Sequence, residues 1–360
     1  MTEREQQVLA LLRQDPLIPQ QELAEQLGIS RSAVAGHIMN LVQKGHIRGK
    51  GYILAEQRYI AAVGGANMDI VGSAAATLRH GDSNPGQVRC SPGGVARNVA
   101  ENLARLGADC RLVSVVGDDI HGRSLLEATQ RAGVDVRGCL TLPDAATSTY
   151  LSIQQADGDM ALAINDMDIL KRLTPERLQA QRDLVRHAGA VVADTNLGAD
   201  ALAWLIAETG DKPLFIDPVS AFKAERIRPW LSRIHTLKPN RLEAAALSGL
   251  PLERPEQAPD AARWFHGQGV RRVVLSMAGA GIYYSGEAGD GWLDAPDCAI
   301  VNTTGSGDAL MAGLAWGWLN ELPLADSVRF ARGCAALTLS SAATNNPSLS
   351  RAAVEAYLNA

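Results

Sequence analysis

Short apolar runs alternate with helical patterns along most of this chain, and no other sequence feature constrains the fold as strongly. The runs are rich in β-branched residues and occupy residues 59–63, 111–116, 190–194, 213–217, 234–238 and 272–276. Strands that are buried on both faces read as continuous apolar runs, and a helix between two such strands is the usual parallel crossover. The sequence therefore predicts an α/β fold with three layers (α/β/α), in which helices cover both faces of a mostly parallel sheet.

Polar side chains stand where these runs end. Asp194, Asp217 and Ser276 are the last residues of three runs, Asn240 follows a fourth, and Asp308 follows residues 298–301, which are β-branched enough to end a further strand. Ligands of such sheets bind beyond the carboxyl ends of the strands. We therefore expect these residues to surround one ligand site.

The segment from Asn302 to Asp308 has the composition of a phosphate-binding turn. Gly305, Ser306 and Gly307 precede an apolar helical run, so their backbone N–H groups can bind an anion without a bulky side chain in the way. A carboxylate beside phosphate oxygens is unfavourable unless it accepts a proton. Asp308 is therefore the candidate general base of phosphoryl transfer to an alcohol. The alternative is a tight packing turn, in which Asp308 only faces the helix dipole.

Two further polar groups suit a hydroxylated ligand. Asn67 and Asp69 stand at alternate positions after an apolar strand, so both side chains point to the same side of an extended segment. Gly94 lets the backbone approach a ligand closely, and Asn98 lies in the first turn of the helix that follows. A plain helix start remains the alternative for this second pair.

A small second sheet is expected beside the large one. Residues 148–155 and 160–165 flank the turn signal Asp157-Gly158, and residues 69–74 and 87–91 can form a second extended pair. We predict that these four segments form a β-sheet lid over the ligand site.

The first 54 residues predict a separate small domain. Helical spacing of apolar residues indicates three helices. The first carries the apolar residues of 8–12 on one face and ends before Asp15, the second spans 20–26, and the third spans 31–43 with Val42 expected among its core positions. Residues 45–54 suggest a β-wing. This segment resembles the helix-turn-helix of winged-helix transcription regulators. The residues expected to contact DNA are Arg31, Ser32, His37, Asn40, Arg48 and Lys50. Docking of a protein partner is the alternative, and a DNA-binding chain is expected to be a homodimer on two half-sites.

Overall composition limits the other possibilities. A net charge of −5 argues against general coating of nucleic acid and leaves room only for a local basic patch. Five scattered cysteines do not suggest a disulfide framework or a CxxC metal site. The polar start and the lack of a long apolar run predict neither a signal peptide nor a membrane span, so we expect a cytoplasmic protein.

Three motifs in order resemble those of the ribokinase-like (PfkB) carbohydrate kinases. They are Gly93-Gly94 with Asn98, the segment 238–243 with Asn240 and Glu243, and residues 303–308. The resemblance covers about residues 59–350. It implies a ribokinase-like domain at residues 59–360, after a linker at 55–58 and the winged helix at 1–54, with ATP-dependent phosphorylation of a sugar or nucleoside hydroxyl as the reaction.

The resemblance also implies roles for particular residues. Asp308 would be the base, with the amides of Gly305, Ser306 and Gly307 as the anion hole. Asn240 and Glu243 would organise Mg²⁺ and its waters. The remaining roles are substrate binding by Asn67, Asp69, Gly94 and Asn98, and ATP binding by Asn240, Ser276, Gly279, Gly281, Asn345 and Asn346.

Within that family, residues 94–98, 165–167 and 217–223 are most similar to the pseudouridine kinases. This similarity places Asp166 and Lys223 on the substrate or phosphate side of the cleft, although Lys223 as a solvated helix residue is an equal alternative. One departure concerns Asn302, because the family usually has Asp there, at a position associated with a monovalent cation. The departure leaves a K⁺ requirement open.

Two functions are therefore compared. The first is an active kinase for the 5′-hydroxyl of pseudouridine or a related ribonucleoside or sugar, fused to a DNA-binding domain. The second is a transcription regulator whose kinase-like domain only senses a sugar or nucleoside. Retention of Asp308, its glycines, Asn240 and Glu243 favours catalysis, because sensors derived from enzymes tend to lose such groups.

Overall fold

The computed structural model describes residues 1–47 and 58–360, and within them the chain forms two compact units. The first comprises Met1–Arg58 and the second Tyr59–Ala360. Residues 48–54 of the predicted wing, the contacts assigned to Arg48 and Lys50, and nearly all of the predicted linker lie outside the described residues. The domain boundaries at 54 and 58 stay predictions.

The first unit contains three helices, α1 (Glu3–Gln14), α2 (Gln20–Leu27) and α3 (Arg31–Gln43). Local capping sets their ends. Thr2 and Glu5 form a reciprocal capping box at the start of α1, and the Ser30 hydroxyl accepts a hydrogen bond from the Ala33 amide at the start of α3. Gly28 ends α2 in the left-handed conformation, with φ of +62°.

Buried apolar side chains from all three helices, and from one residue before α2 and one after α3, meet in one core. They are Val8, Leu9, Leu12, Ile18, Leu23, Ala24, Val34, Ile38, Leu41 and Ile47. The prediction for Val42 was wrong, because this side chain is 47% exposed. Leu41 already occupies the inward position of that turn, and the next residue of a helix points about 100° away.

The second unit contains strands and helices in alternation. The strands are β1 (Ile60–Val63), β2 (Asn67–Ala74), β3 (Gly86–Gly93), β4 (Cys110–Val113), β5 (Val115–Gly117), β6 (Leu140–Leu142), β7 (Thr149–Gln154), β8 (Met160–Asp166), β9 (Ala190–Asp194), β10 (Leu214–Asp217), β11 (Thr236–Leu237), β12 (Arg272–Ser276), β13 (Ile282–Gly286) and β14 (Gly289–Leu293). The helices are α4 (Val95–Arg105), α5 (Ile120–Arg131), α6 (Pro175–Leu178), α7 (Arg182–Arg186), α8 (Ala199–Thr209), α9 (Ala221–Ala224), α10 (Arg241–Ser248), α11 (Ala258–Gly267), α12 (Ser306–Leu319), α13 (Leu324–Leu339) and α14 (Arg351–Asn359).

Within the described residues, eight strands form the large sheet in the order β14-β13-β12-β11-β10-β9-β1-β4. The six strands from β12 to β4 pair in parallel, and β13 and β14 add antiparallel to one edge. Alternate residues of β1 enter two different apolar clusters, Ala61 and Val63 on one face and Ile60 and Ala62 on the other. Helices therefore cover both faces, and the prediction of a three-layer, mostly parallel fold is confirmed.

The second sheet has four strands among the residues described, in the order β3-β2-β7-β8. The hairpins β2–β3 and β7–β8 are antiparallel, and β2 joins β7 in parallel. Gly158 turns the second hairpin with φ of +91°, a conformation that glycine adopts without strain. All four segments predicted for the lid thus form one sheet.

Two strand predictions differ from the structure. The run 111–116 divides at Ser114, whose hydroxyl donates to the Gly64 carbonyl, so that β4 joins the large sheet while β5 pairs with β6. Residues 298–301 form no strand, and Ile300 is 68% exposed. The amides of Val301 and Asn302 donate instead to the Leu339 carbonyl at the end of α13.

The helices of the described part of the chain lack the combined length and apolarity that a membrane crossing would need.

Candidate active site

Three buried charged groups meet where neighbouring strands end. Asp194 at the end of β9 is in register with Asp217 at the end of β10. Lys238 follows β11, and its ammonium lies 3.0 Å from Oδ2 of Asp217. This is the carboxyl edge at which the sequence predicted a ligand site.

Asp194 holds the backbone around that edge in place through hydrogen bonds. Its carboxylate accepts hydrogen bonds of 2.8 Å from the amides of Gly65, Ala96 and Asn196. Burial raises the pKa of Asp194, and the three amides oppose this rise by stabilising the carboxylate. A Cβ atom on Gly64 would lie 2.4 Å from the same carboxylate, so the turn after β1 has room only for glycine.

Lys238 carries a positive charge that Asp217 holds in a fixed position in the site. Burial favours the neutral form of Lys238, but the carboxylates of Asp217, Glu243 and Asp308 together outweigh burial, with Asp217 contributing most, so the pKa of Lys238 is raised. The Nζ atom of Lys238 lies 3.4 Å from the position that a Cβ atom of Gly307 would occupy. A permanent cation therefore stands beside the predicted anion hole.

The turn before α12 has the geometry of an anion hole. Gly305 caps α12 with φ of +82°, and a Cβ atom there would lie 2.0 Å from the Thr344 carbonyl oxygen. The side-chain oxygen of Asn302 accepts a hydrogen bond from the Thr304 amide and thereby shapes the turn. Because Ser306 is the first residue of α12, the first amides of this helix have no intrahelical acceptor and are available to an anion.

Asp308 lies in the first turn of α12 and is 9% exposed. Burial raises its pKa to about 8, the Asp217 carboxylate acts in the same direction, and Asn98 and Lys238 act against them. No ion pair of the described residues includes Asp308, whereas Nδ2 of Asn98 donates a hydrogen bond of 2.8 Å to its Oδ2. A carboxyl group with a pKa near neutral pH is suited to accept a proton.

Asn98 was predicted to bind the substrate, and the structure places its side chain on the candidate base. Its Nδ2 atom donates to Asp308, while its Oδ1 accepts a hydrogen bond of 3.0 Å from Arg97. Only 4% of Asn98 is exposed. A direct contact between Asn98 and the substrate stays a prediction.

Asn67 and Asp69 lie together, as their alternation predicted. Nδ2 of Asn67 donates to Oδ1 of Asp69 at 2.6 Å. Burial raises the pKa of Asp69, and the Asn67 hydrogen bond and Arg97 partly offset the rise. Gly94, with φ of +99°, brings the start of α4 so close to this strand that a Cβ atom would lie 2.5 Å from the Cα of Ala66.

Asn240 and Glu243 bind each other in a reciprocal capping box at the start of α10. The Asn240 backbone and side-chain N–H groups donate to the two Glu243 oxygens, and the Glu243 amide donates to Oδ1 of Asn240. Burial and the Asp217 carboxylate raise the pKa of Glu243. No cluster of three or more His, Cys, Asp or Glu residues in the described ranges could hold a metal ion. The pair fits a Mg²⁺ ion that is held mainly by phosphate oxygens and water.

Three of the predicted nucleotide contacts lie at the end of β12 or in the turn that follows it. Ser276 forms an isolated parallel bridge with Asn240, which brings the ends of β11 and β12 together. Gly281 has φ of +105°, and a Cβ atom there would lie 2.2 Å from the Leu293 carbonyl oxygen, so this glycine is required by the turn itself. Gly279 lies in the short helix Ala278–Ala280 of the same turn.

The other two predicted nucleotide contacts are engaged within the protein. Nδ2 of Asn345 donates to the Asn98 carbonyl at 3.3 Å, and Nδ2 of Asn346 donates to the Leu337 carbonyl at 2.6 Å. These bonds attach the loop after α13 to α4 and to the end of α13. A contact of either amide with the adenine base stays a prediction that this geometry does not favour.

Asp166 and Lys223 have different surroundings. Asp166 ends the lid strand β8 and is exposed. Lys223 is half-buried, and its Nζ donates to Oδ1 of Asn196 at 2.6 Å, so it is not a freely solvated helix residue. Burial lowers the pKa of Lys223, and Asp194 partly offsets this.

A cleft of about 1000 Å³ borders the lid sheet. Asp69 and Tyr150 of the lid line it, together with Asn302, Thr304 and Asn345 from the loops beside α12. The cleft thus extends from the predicted substrate contacts to the turn that leads to Asp308.

Three residues to which the sequence assigned no role belong to this site. Lys238 supplies the buried cation, Arg97 holds the Asn98 amide, and Asn196 holds Lys223. The sequence carries a signal for Lys238 and Arg97. Lys238 directly follows a buried strand and Arg97 lies in the buried start of a helix, where a charged residue is unusual.

The residues predicted to contact DNA lie on α3. Arg31, Ser32 and Asn40 are exposed and His37 is half-buried. Lys44 is one of the basic residues that follow α2 in the sequence. In the structure its Nζ lies 2.9 Å from the carboxylate of Glu5, which is 1% exposed. Lys44 therefore stabilises the unit and offers little free charge to DNA.

The fold and site define a kinase of the pfkB class, and comparison with known proteins agrees. A family model described as pfkB family carbohydrate kinase matches residues 57–351. The chain belongs to this family, whose members are phosphotransferases with an alcohol group as acceptor. A second model, described as winged helix-turn-helix DNA-binding, matches residues 1–48.

Two curated relatives are similar over nearly their whole length. The uncharacterized sugar kinase YeiI of Escherichia coli (strain K12) is 47% identical over 351 residues, which is 97% of each chain. The pseudouridine kinase of the same organism is 47% identical over 302 residues, which is 84% of this chain and 96% of its own.

Solved structures share the fold of the second unit. Arabidopsis thaliana ribokinase complexed with ribose and ATP has a TM-score of 0.76 at 23% identity and covers 84% of this chain and 99% of its own. A protein of Escherichia coli designated ribokinase II, in complex with ATP and Mg²⁺, has a TM-score of 0.73 at 18% identity, with the same coverage.

Proposed function

We propose that the protein is an ATP-dependent kinase for the 5′-hydroxyl of pseudouridine or a closely related ribonucleoside. The observation that carries this proposal is the position of Asp308, a carboxyl group with a pKa raised to about 8 in the first turn of α12, next to free backbone amides. In its ionised form such a carboxyl group accepts a proton from an alcohol, and the amides bind the phosphoryl group that the alcohol attacks.

The reaction proceeds by in-line displacement. The substrate hydroxyl loses its proton to Asp308, its oxygen forms a bond to the γ-phosphorus of ATP, and the bond to the β-phosphate oxygen breaks to release ADP. The amides of Gly305, Ser306 and Gly307 offset the charge on the transferring group. Lys238, fixed by Asp217, adds a positive charge beside Gly307.

The substrate and the metal use the groups on either side of Asp308. Asn67 and Asp69 present an amide and a carboxylate to ribose hydroxyls from the base of the lid, with Gly94, Asp166 and Lys223 as further contacts. Asn240 and Glu243 orient the waters of a Mg²⁺ ion, which neutralises phosphate charge when bound. A K⁺ requirement stays open, because both ends of the Asn302 amide are already hydrogen-bonded within its own loops.

The choice of a nucleoside over a simple sugar is supported by the pseudouridine kinase relative. That relative is 47% identical over 96% of its own length, whereas the ribokinase of Haemophilus influenzae is 24% identical over 92% of its own. We therefore place pseudouridine first among the substrates, and inosine and guanosine next, since a guanosine-inosine kinase of Exiguobacterium acetylicum is 29% identical.

The first unit is proposed to bind DNA through α3. Arg31, Ser32 and Asn40 present one charged and two polar side chains on an exposed surface, with His37 beside them. Such groups contact phosphates and base edges when a helix enters the major groove.

A homodimer is proposed to form through the lid. Val88, Leu162 and Ile164 are 73%, 58% and 57% exposed, and the strand pairings put all three on one face of the lid sheet, together with Ile70 and Leu151. An exposed apolar sheet face of this kind marks an interface. A second copy would cover it, and a dimer would also present two DNA-binding units to two half-sites. The cytoplasmic location stays a prediction from the sequence.

A screen of substrates tests the proposed function. Purified full-length protein is incubated with ATP and Mg²⁺ and, in turn, pseudouridine, uridine, inosine, adenosine, ribose and fructose, and both ADP formation and the position of the new phosphate are measured. We expect the highest kcat/KM with pseudouridine and a 5′-phosphate product. Turnover highest with ribose or fructose would refute the nucleoside assignment.

A ligand-sensing transcription regulator is the second candidate, and the winged helix-turn-helix match at residues 1–48 is the observation that favours it. The same screen separates the two functions. Binding of a nucleoside without turnover on any substrate, together with a change in DNA affinity when the nucleoside binds, would support the sensor and refute the kinase.

A further inference from the structure

A buried guanidinium lies directly behind the candidate base and has no part in the mechanism described so far. Arg97 of α4 is 4% exposed. Its Nε donates to the Thr129 hydroxyl at 3.0 Å, and its Nη2 pairs with Glu101 one helical turn further along α4. Its Nη1 donates both to the Pro92 carbonyl at 3.2 Å and to Oδ1 of Asn98 at 3.0 Å.

These contacts determine which way the Asn98 amide faces. With Oδ1 taken by Arg97, the Nδ2 atom is left to donate to Oδ2 of Asp308 at 2.8 Å. The opposite orientation would set the N–H groups of Asn98 against those of Arg97, and the Asn98 oxygen against the Asp308 carboxylate. An arginine has donors only, so it enforces one orientation of the amide.

We propose that Arg97 is a positioning residue that keeps the amide of Asn98 turned toward the catalytic carboxylate of Asp308. The proposal rests on the proposed function, in which Asp308 is the base. Because the same guanidinium group also binds the Pro92 carbonyl, it attaches this arrangement to β3 of the lid.

The effect on catalysis follows from the groups that face Asp308. They are Asn98 on α4, Asp217 at the end of β10, Lys238 after β11 and Asp194 at the end of β9. Removing Arg97 leaves the last three in place and frees the amide of Asn98 to turn. The carboxylate then loses a donor, so the pKa of Asp308 rises and the active, ionised form is less populated at neutral pH.

The test uses Arg97→Lys, which keeps a positive charge opposite Glu101 while losing the planar set of donors. On the best substrate of the screen, kcat/KM is measured against pH. We expect the acid limb to move upward by about one pH unit, and kcat at pH 7 to fall by about tenfold, since each unit of pKa above the assay pH lowers the ionised fraction tenfold. KM should change less than kcat. Adding Arg97→Lys to Asn98→Ala should produce no further shift.

Arg105→Gln is the matched control. Arg105 binds the other oxygen of Glu101, at 2.6 Å, without contacting Asn98, so its loss disturbs the same carboxylate and should leave the acid limb in place. The double variant Arg97→Gln/Glu101→Gln removes the whole ion pair and should shift the limb as Arg97→Lys does. If this double variant fails to fold, the result for Arg97→Lys alone tests the proposal.

An acid limb of Arg97→Lys that coincides with the wild-type limb would overturn the proposal. A shift in Arg105→Gln as large as that in Arg97→Lys would also overturn it, because the effect would then come from Glu101. Asp308→Asn separates this failure from that of the proposed function: if Asp308→Asn keeps wild-type turnover, the base assignment itself is wrong. Should no substrate be turned over, the pH dependence of unfolding reports the pKa of Asp308 in both variants without a substrate.

Discussion

Replacing Asp308 by asparagine should make the protein more stable, and more so at high pH. Asp308 is a buried carboxyl group whose pKa is raised from 3.8 to about 8, first by burial and then by the Asp217 carboxylate. Between these two pH values the folded state keeps the proton while the unfolded state releases it. Stability is therefore lost as pH rises through this window. Asparagine has the same shape, can accept the hydrogen bond from Asn98, and never ionises.

The size of the effect follows from the two pKa values. Each pH unit between them contributes about 1.4 kcal/mol, so the free energy of unfolding of Asp308→Asn should exceed that of the wild type by about 1–2 kcal/mol at pH 5 and by roughly 6 kcal/mol above pH 8. At pH 4 the difference should fall below about 1 kcal/mol, because the unfolded wild type is then partly protonated as well.

Chemical unfolding of the ligand-free protein, followed by fluorescence at several pH values from 4 to 9, measures this difference. Asp217→Asn is the contrasting variant, since it removes the buried partner of Lys238 and should destabilise by about 3–5 kcal/mol. If Asp308→Asn is as stable as the wild type at every pH, or less stable at high pH, then Asp308 is not a strained buried carboxyl group and the reasoning fails.

Three further predictions concern the anion hole, the DNA-binding unit and the lid. Gly305→Ala should lower kcat by about 10²–10³-fold, because its Cβ would meet the Thr344 carbonyl and displace the amides. Gly107→Ala is the control: Gly107 has φ of +84° and open space around it, so the substitution should cost only backbone strain of about 1–3 kcal/mol in unfolding assays. Arg31→Ala should reduce the slope of log K for DNA against log salt by about 1, and an unchanged slope would exclude its phosphate contact. Leu162→Asp should shift sedimentation from dimer to monomer, and a wild-type profile would exclude the lid as the dimer interface.

Elements with a regular apolar pattern were predicted best from the sequence. The runs 190–194 and 272–276 and the helix 31–43 coincide with β9, β12 and α3, because each is a continuous or periodic apolar pattern with a polar or capping residue at its boundary. Residues 298–301 show the limit of that reasoning. Their β-branched side chains favour an extended backbone, but a strand also needs a neighbouring strand, and α13 supplies their hydrogen-bond acceptor instead.

The place of the site was predictable, and the orientation of its side chains was not. Parallel strands end at one edge, so Asp194 and Asp217 had to be neighbours. The contact between Asn98 and Asp308 joins residues 210 positions apart, and no local pattern indicates it. Asn240 and Glu243 illustrate the opposite case: their spacing is a capping-box signature, and the structure shows that box, while their role toward Mg²⁺ stays a prediction.

The central claim is that Asp308 removes the proton from an alcohol while the first amides of α12 hold the phosphoryl group. The most direct measurement is single-turnover phosphorylation of pseudouridine by wild-type protein and by Asp308→Asn at saturating ATP and Mg²⁺. Our account predicts formation of the 5′-phosphate at a rate about 10²–10⁴-fold lower in the variant, the usual contribution of a general base. A variant that phosphorylates pseudouridine at nearly the wild-type rate would contradict it.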